Sequence, residues 1–142
     1  MAATMTNIDR VTRTVPMKVL ALGMSRTATM SMKAALDILG LRSYHFIEFV
    51  SNPLHGDHWN AWLRAKYYSN LNLPPTSLPT RADFDKVLGN FSAVTDMPAV
   101  LLADELIVAY PETKVVLVER DVDVALQRTG NTVSPTCRRK ID

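Results

Sequence analysis

Four hydroxyls and a guanidinium fall within seven consecutive positions of this chain, Ser25-Arg26-Thr27-Ala28-Thr29-Met30-Ser31. They follow the apolar run Val19-Leu20-Ala21-Leu22 and Gly23, and they lead into a helix-forming stretch from Met32 to Leu39. A strand that turns directly into a helix leaves backbone N–H groups unpaired at the helix start, where anions are favoured. Arg26 adds a planar cation that stays protonated and matches phosphate or sulfate oxygens in pairs. The chemistry this suits is the holding of a phosphorylated nucleotide or a sulfuryl donor. A plainer reading also stands, in which Ser25, Thr27 or Thr29 caps the helix and binds nothing.

Two further places carry charge at the end of an apolar run. In Thr95-Asp96-Met97-Pro98 a carboxylate precedes a helical stretch, and in Glu119-Arg120-Asp121 an arginine does the same. If the runs before them are neighbouring parallel strands, Arg26, Asp96 and Arg120 converge on one crevice. Two cations and a carboxylate suit an anionic donor together with an acceptor hydroxyl that must lose a proton. The alternatives are a helix N-cap for Asp96 and a weak surface ion pair with Asp121 or Asp123 for Arg120.

The turn is neither of the two common phosphate loops. A Walker pattern begun at Gly23 requires glycine, lysine and Ser/Thr where the chain has Ala28, Thr29 and Met30, so the phosphate lysine and the magnesium hydroxyl are missing from their places. A dinucleotide fingerprint requires glycines where Ser25 and Ala28 stand.

The elements that must position these residues alternate. A strand is expected at about 17–22 and a helix at 29–39, closed by Gly40. A short strand is expected at 42–46, and a helix at 53–68 with Pro53 in its first turn. The stretch 70–80, with Pro74, Pro75 and Pro79, reads as a loop. A short helix at 82–88 ends at Gly89. A strand at 92–95 leads into a helix at 98–109. Lys114–Glu119 reads as the clearest buried strand, and a further helix follows at 121–128. Repeated βα units imply a parallel sheet covered by helices, with ligands at the carboxyl ends of the strands. Trp59, Trp62, Leu63 and Tyr67 share one helical face and read as core before pocket. Met24, Met30 and Met32 read as adaptable packing near the turn. His55 and His58 share a face without a third ligand at metal spacing.

Composition bounds the function. The chain has 142 residues, 47% of them hydrophobic, enough for one domain with a sizeable core. Sixteen Lys and Arg against fourteen Asp and Glu make no field that announces nucleic acid or a membrane surface. The apolar runs are too short to span a bilayer. The first 16 residues lack the apolar core of a secretory signal and read as a flexible leader. The lone Cys137 makes no intrachain disulfide, so a cytoplasmic location is expected.

At the level of motifs, Gly23-Met24-Ser25-Arg26-Thr27-Ala28-Thr29-Met30-Ser31, Ser43-Tyr44-His45, Ala93-Val94-Thr95-Asp96-Met97-Pro98-Ala99, Glu105-Leu106-Ile107 with Ala109-Tyr110-Pro111, and Arg120-Asp121-Val122-Asp123 resemble, in order, the sulfotransferase-like P-loop proteins common in fungi. The resemblance runs from about 17 to 128. It implies a three-layer α/β/α fold of the sulfotransferase and nucleotide-kinase kind, and 3′-phosphoadenosine 5′-phosphosulfate as donor without a metal. It also implies transfer of the sulfuryl group to a hydroxyl or amine of a small-molecule acceptor whose identity it leaves open. By the same match Arg26 takes the place of the lysine of the 5′-phosphosulfate loop. Ser25, Thr27, Ala28, Thr29, Met30 and Ser31 complete that cradle, and Arg120 grips the 3′-phosphate. Asp96 falls where cytosolic sulfotransferases carry a catalytic histidine in Thr-His-Leu-Pro, which implies the general base. A carboxylate serves as a base at neutral pH where burial raises its affinity for protons, so His45 is the reserve candidate.

The departures from the pattern are specific. Ala28 stands where the family turn has glycine, and a position of positive φ would penalise its methyl group. Arg128 stands where a serine is expected, eight residues after Arg120, and remains a candidate phosphate contact. Ala125 stands where an aromatic residue is expected. Residues 129–142 match nothing in the family and read as an irregular basic tail, so the chain reads as the front portion of a sulfotransferase-like domain over 17–128. Two other functions remain open, a P-loop NTP binder and a non-catalytic remnant. Magnesium dependence separates the first from a sulfotransferase.

Overall fold

The computed structural model describes residues 12–68, 77–121 and 123–124. Four short parallel strands form its sheet: β1 (Val19–Ala21), β2 (Ser43–Tyr44), β3 (Ala93–Thr95) and β4 (Lys114–Val116), in the order β2-β3-β1-β4. The helices are α1 (Thr29–Ile38), α2 (Phe46–Ser51), α3 (Pro53–Tyr67), α4 (Arg81–Leu88) and α5 (Ala103–Ala109), with a 3-10 turn at Ala99–Leu102. This is the expected α/β fold with a parallel sheet and helices on both faces.

Strand alternation sorts the side chains into two clusters. Leu20, Tyr44 and Val94 point into the larger one with Trp59, Trp62, Phe84, Leu102, Leu106 and Tyr110. Ala21 and Ala93 point the other way, where they meet Leu36, Met32 and Leu41. Alanines on this face let α1 lie close against the strands that lead into the site. Trp59 and Trp62 pack edge to face at 5.1 Å and are core, whereas Tyr67 is exposed and donates to the Leu101 carbonyl at 2.7 Å.

Two expectations are corrected, and one element is added. β4 is the edge of the described sheet, and Val115 and Leu117 are 50% and 62% exposed, so the run 114–119 is not a buried strand. Apolar composition shows that a run can be buried, but burial requires a covering element. The helix expected over 53–68 forms as α3, and an additional helix, α2, precedes it, since the His45 side chain and Glu48 close a reciprocal cap there. Met24 and Met30 are over half exposed and do not pack at the turn. Only Met32 joins a cluster.

Residues 12–16 are tied to the domain. The Arg13 guanidinium donates to Asp85 at 2.6 Å, to the carbonyls of Val15 and Phe91, and to the Tyr110 hydroxyl. The Thr14 amide donates to the Gly89 carbonyl at 2.9 Å. Residues 1–11, most of the 70–80 loop, Arg128 and the 129–142 tail lie outside the described residues.

Candidate functional site

Sheet order decides what meets at the site. β1 and β3 are adjacent and in register, Ala21 opposite Thr95, so the turn after β1 and Asp96 after β3 leave the sheet side by side. β2 lies on the other side of β3, which brings His45 to the same edge. β4 flanks β1 on its far side and brings the 117–120 segment alongside.

The turn itself is held by Thr27, whose amide and hydroxyl both donate to the Met24 carbonyl, at 3.2 and 2.6 Å. Gly23 is needed for this closure, because a Cβ there would lie 2.8 Å from Thr27 Oγ1 and 3.3 Å from the Val118 carbonyl. Arg26 and Ala28 adopt φ of 71° and 66°, the left-handed region that L residues enter at a cost. Alternation of this kind turns successive backbone N–H groups toward one side, an anion-binding geometry.

No side chain caps α1. The hydroxyls expected to do so are engaged elsewhere: Thr27 on Met24, Ser25 on Asp96 Oδ1 at 2.5 Å, and Thr29 near His45 Nε2 at 3.2 Å. Among the described residues no side chain is bonded to the first-turn N–H groups of α1, and the capping explanation fails for these three hydroxyls. Ser25, Arg26, Ala28, Met30 and Ser31 are exposed around this helix start, while Thr27 and Thr29 are buried. Arg120 reaches the turn from the β4 side and donates to the Arg26 carbonyl at 3.4 Å. Asp121 instead accepts from the amides of Asp123 and Val124. Arg128 lies outside the described residues.

Behind the turn sits a buried polar chain. Asp96, with φ 68° and 5% exposure, accepts from Ser25 on one oxygen and faces His45 Nε2 at 3.1 Å with the other. Asp96 is therefore no helix cap. His45 is 4% exposed, and its Nδ1 accepts the Ile47 amide at 3.2 Å. Burial holds its pKa below the ordinary imidazole value. Asp96 and Glu48 push it up and Lys33 pushes it down, without reversing the effect of burial.

The sequence reading passed over Lys33. Its ammonium bridges Asp37 Oδ2 at 3.0 Å, Glu48 Oε1 at 2.9 Å and the Ser43 carbonyl at 3.0 Å. Asp37 also accepts the amide and hydroxyl of Ser43. Together these bonds clamp α1, β2 and α2 and so fix where His45 stands. The i,i+4 spacing of Lys33 and Asp37 was a readable signal. His45-x-x-Glu48 was another, because it repeats the spacing of a capping box with histidine in place of the usual hydroxyl. His55 accepts or donates among Tyr44 and Asn52, and no group of three metal-ligating side chains occurs among the described residues.

A parallel α/β sheet with an uncapped helix start, left-handed turn residues and two arginines beyond its strand ends has a geometry suited to anionic ligands. The sulfotransferase domain family matches residues 18–140, and the chain belongs to that family. It is 38% identical over 117 residues to Ava biosynthesis cluster protein M of Aspergillus versicolor. That alignment covers 82% of this chain and 43% of the relative's length. No helix among the described residues is long and apolar enough to cross a membrane.

Proposed function

We propose that the turn at 23–31 binds 3′-phosphoadenosine 5′-phosphosulfate and that the chain serves transfer of its sulfuryl group to a small-molecule acceptor. The observation that carries this reading is the uncapped start of α1 behind a left-handed turn, with Arg26 in the turn and Arg120 bonded to its backbone. The residues present fit such a group: Ser25 to Ser31 supply backbone N–H donors, with the exposed Ser31 hydroxyl beside them, Arg26 faces the phosphosulfate, and Arg120 takes the 3′-phosphate. Arg128 is a further candidate for that phosphate.

When bound, the donor supplies a sulfuryl group on a phosphate leaving group. The chain's part is to hold the phosphates by charge-assisted hydrogen bonds, offset the charge that builds on the leaving oxygen, and take the acceptor's proton. Asp96 is the base in this reading. The relative's name places that protein in a biosynthesis cluster, which fits an acceptor of small-molecule size here. The turn gives magnesium no role, since the Walker lysine and hydroxyl are absent from it.

The test is thermal melting with 3′-phosphoadenosine 5′-phosphate in the presence of a chelator. The melting temperature is expected to rise, and Arg26→Ala or Arg120→Ala to abolish the rise. No shift at millimolar ligand for a chain that melts cooperatively overturns the reading. A shift seen only with ATP or GTP and magnesium transfers it to an NTP binder.

A further inference from the structure

We infer that His45 is a positioning residue and not a base: a neutral ring, protonated on Nε2, that orients the Asp96 carboxylate and, through Ser25, the turn ahead of α1. The tautomer follows from the partners. A backbone amide is only a donor, so the Ile47 N–H at 3.2 Å requires a bare lone pair on Nδ1. The proton of a neutral ring then sits on Nε2, which is hydrogen-bonded to Thr29 Oγ1 at 3.2 Å and lies 3.1 Å from Asp96 Oδ2. Both nitrogens are spent on the protein, and the ring is 4% exposed, so no lone pair of His45 faces an acceptor.

A second proton would have to enter at Nδ1 and displace the Ile47 amide, which uncaps α2. The charged groups around the ring are Asp96 after β3, Glu48 on α2 and Lys33 on α1. Asp96 and Glu48 favour the imidazolium, but each already has other donors, Ser25 on Asp96 and Lys33 on Glu48. Burial and Lys33 favour the neutral ring.

What the ring holds is a strained junction. Asp96 is a non-glycine residue at φ 68°, and two residues of the turn share that region. Such conformations persist where surrounding bonds over-determine them. Here the contacts run in series from β2 across β3 to the turn after β1: His45 Nε2 lies 3.1 Å from Asp96 Oδ2, and Asp96 Oδ1 accepts from Ser25. On the donor-binding reading proposed above, on which this role rests, the lock presets the anion site and leaves Asp96 as the group for the acceptor's proton.

Glutamine and asparagine separate the two nitrogens of His45. Gln places an amide N–H where Nε2–H lies, and Asn places an acceptor where Nδ1 lies. Long-range 1H–15N correlations of the wild-type chain at pH 7.5 are expected to show His45 with its proton on Nε2. A proton on Nδ1, or an imidazolium at that pH, overturns the inference. In ligand-free hydrogen exchange, His45→Gln is expected to leave the Thr27 amide within twofold of wild type. His45→Asn is expected to speed it about tenfold, the scale of one charge-assisted bond. Equal exchange in both variants, or a faster rate in Gln than in Asn, means that His45 only caps α2 or only fills space, and overturns the lock. Melting curves establish that both variants fold, and the tautomer measurement needs no variant. If the lock passes while the nucleotide gives the wild-type chain no shift, the donor reading has failed and the lock stands.

Discussion

Ala28 shows how much one methyl group can weigh in this site. It stands at φ 66° at the entry to α1, where the resembling family carries glycine. Holding an L residue there costs roughly 1–2 kcal/mol, partly offset because glycine loses more freedom on folding. Ala28→Gly is expected to stabilise the chain by about 0.5–1 kcal/mol, read as a higher urea midpoint at unchanged slope. It is also expected to tighten nucleotide binding, because the methyl group borders the anion site. An unchanged or lower midpoint would mean that the left-handed conformation at this position is not a source of strain.

Among the elements, the segment before β1 is anchored by Arg13. Arg13 joins residues 12–16 to Asp85 of α4, to the Phe91 carbonyl and to Tyr110 after α5. Arg13→Ala leaves partly buried acceptors without their donor and is expected to cost about 2–3 kcal/mol in denaturant unfolding. The start of α2 makes stability depend on pH. His45 and His55 are both held below the ordinary imidazole value, in each case chiefly by burial. The unfolded chain therefore binds more protons than the folded one below about pH 6.5. The contribution of these residues is complete above that pH and is lost as pH falls toward their folded values. Melting temperature is expected to drop between pH 7.5 and 5.5, with a flatter profile in the double variant His45→Gln, His55→Gln. Asp37 and Asp83, held low by their partners, act only at more acid pH.

For the whole molecule, the sheet is uneven in what it buries. Val94 in central β3 is fully buried, whereas Val115 in β4 is half exposed. Val94→Ala is expected to cost about 2 kcal/mol or more, from lost transfer energy and the cavity it leaves. Val115→Ala is expected to stay within about 0.5 kcal/mol of wild type. Equal costs in urea unfolding would show that β4 is covered in solution.

By itself the sequence determined the order of the four strands, the helix stops at Gly40 and Gly89, the core role of Trp59 and Trp62, and the charged residues Arg26, Asp96 and Arg120 that follow three of the strands. These follow from periodicity, turn residues and local capping, all of which act over a few neighbouring positions. The motif order also carried the family. It did not distinguish a capped α1 from an open one, because Ser25, Thr27 and Thr29 each offer a plausible local cap. Tertiary structure decided that point by giving every one of those hydroxyls a different partner, two of them, Asp96 and His45, in distant parts of the chain. It also decided that β4 lies at the edge of the described sheet, and that His45 spends both nitrogens on the protein. Such outcomes depend on which strand lies beside which, and pairing across tens of residues leaves no mark in the local pattern of residue types.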